Sequence, residues 1–173
     1  MRRYAIHLAA GLCLFLSAAE LPAQKQMWRQ ATAAELQAQL PARAPVEKEH
    51  IETEMSTASG ITDGKGHFVA GVVLITAGYS AEGKYSHYLL VQAPMRIANV
   101  TLEPGEYVFG WTRSEDALSV HIHQALTGTL MVTAEAHRIQ GSTRVESLRI
   151  WPPGERSLIQ IGRFGVPYTI LER

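Results

Sequence analysis

From residue 50 onward, apolar and polar side chains alternate at a period of two, and glycine- and proline-rich turns cut each run short. Such alternation lets an extended strand place one face in a core and the other in water; a helix, with its period near 3.6, cannot exploit it. Ile51, Thr53, Met55 and Thr57 alternate with Glu52, Glu54 and Ser56. Asp63-Gly64-Lys65-Gly66 turns that run into residues 68–75, so the two read as a hairpin. Residues 68–75 and 88–91 are apolar on both faces, which suits strands covered on both sides. Ala81-Glu82-Gly83-Lys84 supplies the turn between them.

Tyr107, Phe109 and Trp111 form an aromatic stripe on a strand launched by Glu103-Pro104-Gly105. Gly105 is expected at the positive-φ position of a type II turn, and Trp111 is expected to be buried with Tyr107 and Phe109. Leu118, Val120 and Ile122 alternate with Ser119, His121 and His123, and Leu130, Val132 and Ala134 alternate with Met131, Thr133 and Glu135. Further strands are expected at 144–150, 157–162 and 166–171, separated by Pro152-Pro153-Gly154 and Phe164-Gly165. Many short strands at this spacing predict an all-β fold, an antiparallel β-sandwich or barrel occupying residues 50–173.

Residues 24–49 differ in composition, being rich in Ala, Gln and Glu. Thr32 followed by Glu35 is a capping-box pair, so residues 33–40 are expected to form a short helix ended by Pro41. This segment is expected to be a short N-terminal helical arm leading into the domain.

Residues 1–23 read as a secretory signal peptide. Arg2 and Arg3 are its charged start, residues 4–16 its apolar stretch, and Ser17, Ala18 and Ala19 lead to Leu21-Pro22-Ala23. Cleavage is expected after Ala19 or Ala23. The stretch is shorter than the roughly 20 apolar residues a membrane span needs, so no stable membrane insertion is expected after cleavage. The single cysteine, Cys13, follows Leu12 rather than a small residue, which argues against a lipid anchor. Its removal would leave a periplasmic or extracellular protein stabilised by its core without disulfides. With 16 basic and 16 acidic residues in the whole chain, no electrostatic footprint for nucleic acid or an anionic membrane exists.

His121-Ile122-His123 is the sharpest chemical lead. On a strand both imidazoles point to one face about 6–7 Å apart, a spacing that can hold a metal ion. The segment Val120-His121-Ile122-His123 resembles the copper-ligand strand of exported copper-zinc superoxide dismutases, but only His137 follows it and the remaining ligands have no counterparts. A cupin site would need a glutamate where Thr127 and Gly128 stand. Ser80 sits in Gly78-Tyr79-Ser80-Ala81-Glu82-Gly83, one residue too long for a nucleophile elbow and ahead of a strand rather than a helix. Glu47, Glu49, Glu52 and Glu54, with His50 among them, read as a solvated face. Asp63, Glu115 and Asp116 are explained by turns. The aromatic stripe could stack sugars but reads as core, and Trp151 before Pro152-Pro153 reads as a capping aromatic. Asn99-Val100-Thr101 matches a glycosylation acceptor pattern.

Two resemblances follow from motifs. Gly60, Asp63, Gly66 and Gly71 with Val72-Val73-Leu74, and then Leu102, Pro104, Gly105 and Tyr107, resemble the carboxypeptidase-regulatory-like or transthyretin-like module, which implies a sandwich. Leu102 to Trp111, Val120 to Gly128 and Ile159 to Phe164 resemble small exported bacterial β-proteins of uncharacterised function, which implies export and all-β structure but no reaction. No catalytic, cofactor-binding or metal residue is assigned. The expectation is a non-enzymatic accessory or binding module of the envelope or extracellular space, taking a protein, glycan or small ligand. Its alternatives are a small metal-dependent enzyme using His121 and His123, and a structural envelope component.

Overall fold

The computed structural model describes residues 28–141 and 144–171. The expected signal peptide, with Cys13, lies outside the described residues. A two-residue strand β1 (Arg29–Gln30) leads into helix α1 (Ala33–Gln39) and strand β2 (Arg43–Val46). Strands β3 (Glu49–Thr62), β4 (Phe68–Leu74), β5 (His87–Val91), β6 (Met95–Ile97) and β7 (Val100–Leu102) follow. Then come β8 (Gly105–Arg113), β9 (Ala117–Gln124), β10 (Leu130–Arg138), β11 (Glu146–Ile150), β12 (Leu158–Gly162) and β13 (Phe164–Ile170).

The strands pair antiparallel in the order β3-β4-β5-β8-β9-β10-β13-β12-β11. β11 then returns beside β3, where the Ile150 amide donates to Ser59 Oγ at 2.9 Å. Leu148 of β11 packs so close to Gly71 of β4 that a Cβ at 71 would lie 2.9 Å from its Cδ2. The sheet is therefore a nearly closed barrel, and the all-β expectation holds.

Strand parity decides what fills it. Leu89 and Val91 of β5, Tyr107 and Phe109 of β8, Val120 and Ile122 of β9 and Ile159 and Ile161 of β12 point inward and form the main core. On the outer face of β4, β5 and β8 lies a second layer. Leu36 and Leu40 of the helical segment, Ala44 and Val46 of β2 and Tyr85 of the β4–β5 loop cover Ala70, Val72, Tyr88 and Val108. This second layer is why the β4 and β5 sequences are apolar on both faces.

The capping box forms as expected: Thr32 Oγ1 accepts from the Glu35 amide while the Glu35 carboxylate accepts from the Thr32 amide. A seven-residue helix has little stability of its own; burial of Leu36 and Leu40 holds it. The flanking segments β1 and β2 both pair with β3, so the helix is fastened to the barrel at both of its ends.

Other details differ from the sequence expectations. The alternation across residues 51–57 holds in burial, but the pairing with β4 is interrupted by an unexpected bulge, since Glu54 pairs with Val73 while Ser59 already pairs with Gly71. Polar side chains take over the backbone bonding there: Thr57 Oγ1 accepts from the Val73 amide at 3.0 Å and donates to the Glu54 carbonyl at 2.7 Å. Residues 95–102, the region of the glycosylation pattern, form the β6–β7 hairpin, whose Met95, Ile97 and Leu102 are fully buried and plug one end of the barrel. Gly105 does not adopt positive φ; it is the first residue of β8. Trp111 is not buried with its stripe partners: Tyr107 and Phe109 are core residues, whereas Trp111 is 38% exposed, because the stripe runs out of the barrel at its open end.

Candidate functional site

That open end carries a cleft of about 720 Å³. Antiparallel order brings together there the last residues of β4, β8, β10 and β12 and the first residues of β5, β9, β11 and β13. The opposite end is the one closed by the β6–β7 hairpin.

At the base of the cleft lies His87, the first residue of β5, only 2% exposed. Its inward parity follows from Leu89 and Val91, which share its face. The ring stacks on Phe109, and Trp111 leans over it with centroids 5.2 Å apart. Nε2 lies 3.1 Å from the Ser147 carbonyl. A carbonyl can only accept, so Nε2 carries the proton and Nδ1, 3.0 Å from Ser86 Oγ, is the acceptor. Burial pushes the His87 pKa down to about 4, the Ser147 hydrogen bond opposing it only in part. The ring is neutral at pH 7.

Above His87 the walls are apolar, formed by Val73, Trp111, Leu118, Val145, Ile161 and Phe164. Three arginines line the same cleft: Arg113 at the end of β8, Arg138 at the end of β10, and Arg163 in the β12–β13 turn. The Ile139 amide donates to the Arg163 carbonyl at 2.8 Å, and Arg138 pairs in register with Phe164, so two of the three stand side by side. The Arg138 guanidinium rests 5.4 Å from the Phe164 ring centroid. The acid of the cleft, Glu146, lies 2.7 Å from Arg144 and 3.8 Å from Arg149.

The residues singled out from the sequence lie elsewhere. His121 and His123 do share one face, on the outside of the barrel, but two threonines flank His121, with Thr133 Oγ1 at 3.1 Å and Thr112 Oγ1 at 3.4 Å. His123 meets Tyr85 edge-on at 5.1 Å, and burial, with the charge of Lys84 adding to it, holds its pKa below the ordinary value. Among the described residues no three His, Cys, Asp or Glu side chains converge as a metal site would require.

The acidic run is dispersed into separate fastenings of the β4–β5 loop. Glu47 accepts from Lys84 Nζ at 2.6 Å and Tyr85 Oη at 2.8 Å, Glu49 accepts from Ser80 Oγ at 2.6 Å, and Glu52 accepts from Tyr79 Oη at 3.0 Å. Ser80 thus bonds a carboxylate and lies outside the cleft. Asp63 accepts from the Lys65 and His67 amides and lies 2.7 Å from His67 Nδ1, fastening the β3–β4 turn. Trp151 is held between Arg149 and Arg156, with its Nε1 donating to Gln160 at 2.9 Å.

The fold and site together define a nearly closed antiparallel barrel with one plugged end and one arginine-lined apolar mouth. No protein-family model, curated protein or solved structure matches the chain.

Proposed function

We propose that this protein is an exported, non-enzymatic module that binds a small ligand in the open mouth of its barrel. The carrying observation is the cleft itself, whose volume of about 720 Å³ falls in the range of small-molecule sites, roughly 300–1,000 Å³. Such sites combine apolar walls with a few placed polar groups, the same division as between the Val73–Trp111–Phe164 walls and the three arginines. The neutral, fully bonded His87 favours binding over catalysis, because both ring nitrogens already have partners. Export rests on the Arg2-Arg3 start and the short apolar stretch of residues 4–16.

Titration with the uncharged dye N-phenyl-1-naphthylamine tests the binding. One saturable site is expected, with quenching of Trp111 and loss of binding when Val73→Trp fills the cleft. Dye binding that Val73→Trp leaves unchanged would refute the site. Export is tested by N-terminal sequencing of protein from the native host, which should begin between Glu20 and Lys25; an intact Met1 product in the membrane fraction would overturn it.

A further inference from the structure

Charge is distributed unevenly between the mouth and the rest of the chain. The whole sequence balances 16 basic against 16 acidic residues, yet Arg113, Arg138 and Arg163 line the cleft with Glu146 as the one acid among its lining residues. Glu146 is already neutralised by Arg144 and Arg149. Glu115 and Asp116, in the adjoining β8–β9 turn, do not line the cleft. Among the described residues none of the three arginines forms a hydrogen bond or an ion pair through its guanidinium, and Arg138 merely rests on the Phe164 ring.

Arginine stems can cover apolar surface while their heads face water, but three like charges around one apolar bowl also favour an anion that joins them. A guanidinium presents paired N–H donors in a fixed fork that fits the two oxygens of a carboxylate or phosphate. The walls beneath would meanwhile take an apolar body, with Trp111 and Phe164 as flat contacts.

Building on the binding reading above, we infer that the ligand is an amphipathic anion, with an apolar body seated between Trp111 and Phe164 and a carboxylate or phosphate head gripped by Arg113, Arg138 and Arg163. Recognition is divided: the walls supply apolar burial that tolerates varied bodies, and the arginines select the charged head.

The test compares decanoate, decyl phosphate, decanol and decylamine by calorimetry, each below its aggregation concentration. Decanoate or decyl phosphate is expected to bind at least about tenfold more tightly than decanol, the gain of a charge-assisted hydrogen bond, and decylamine more weakly than decanol. The stronger of the two anions identifies the head group. In Arg138→Gln/Arg163→Gln the ratio of anion to decanol affinity should fall to about one. An unchanged unfolding midpoint establishes that this variant is folded. Equal binding of decanoate, decyl phosphate and decanol by the unaltered protein would overturn the inference and leave the small-ligand reading standing. Retention of the anion preference in the double variant would also overturn it. Failure of all four compounds together with the uncharged dye would remove both readings.

Discussion

The imidazole of His87 lies face to face with the phenyl ring of Phe109, centroids 4.7 Å apart and planes 12° from parallel. The two are register partners on β5 and β8, and the hydrogen bond from Nε2 to Ser147 extends the contact to β11 across the barrel. One neutral ring therefore joins three strands beneath the cleft, and its protonation state enters the stability of the fold.

The unfolded chain takes up the His87 proton near pH 6.5, the folded chain only near pH 4. Between those values the unfolded state binds more protons, so stability is full above pH 6.5 and falls as pH drops towards 4. The loss should be of the order of 3 kcal/mol. Urea unfolding of the unaltered protein and of His87→Leu across this window checks it. The variant should be less stable at pH 7 but lose less on acidification; equal slopes for both proteins would contradict the assignment.

Phe109 and Trp111 share a strand and a face, yet substitution should separate them. Phe109 is 1% exposed, so Phe109→Ala should cost about 3–5 kcal/mol. Trp111→Ala should cost about 1 kcal/mol, since much of the ring already meets solvent, and should weaken dye binding in the cleft. Denaturant midpoints paired with dye titration distinguish the two roles.

Gly110 should tolerate no side chain. A Cβ there would lie 2.2 Å from the Lys84 carbonyl oxygen, where the β4–β5 loop crosses β8. Gly110→Ala is expected to lift that loop and destabilise by about 1–3 kcal/mol. Gly105→Ala, whose Cβ would meet only the Tyr107 ring at 3.5 Å, should be nearly silent. Thermal unfolding of the two variants provides the comparison.

Barrel closure depends on a side chain at the β3–β11 junction. Ser59→Ala would leave the Ile150 amide without its acceptor, at an expected cost of about 1–3 kcal/mol. Amide exchange at Ile150 should accelerate well beyond that at Ile122, which sits in an intact β8–β9–β10 ladder. Equal acceleration at both sites would show that the junction is not a local seam.

Strand periodicity exposed most of the wall in advance, because Leu118-Ser119-Val120 and Val132-Thr133-Ala134 report their orientation within a few residues. Leu130, expected on the same face as Val132, is instead 52% exposed, because a bulge shifts the register between the two. The same rule, extended one residue back from Tyr88, turns His87 inward with Leu89; a polar residue at the start of an apolar run carries no alternation of its own to mark its face. The β6–β7 hairpin was hidden because three-residue strands carry too little alternation to register. The bulge at 55–58 depends on Thr57 competing with the backbone, which a binary pattern does not encode. The mouth was the least accessible. Arg113, Arg138 and Arg163 stand far apart along the chain, and only the pairing of β10 with β13 and the ordering of β8, β9 and β10 place them together.

Strand β13 pairs with β10 through only His137↔Gly165 and Arg138↔Phe164, then pairs with β6 along Tyr168, Thr169 and Ile170. The hairpin that stops the far end is thus stitched to the same strand that helps frame the mouth. With Met95, Ile97 and Leu102 fully buried, the barrel is a cup and not a conduit. A ligand held as proposed would arrive and depart past the same arginines. Its residence time would then be set at that threshold, where a change in salt or a competing anion acts without disturbing the packed base.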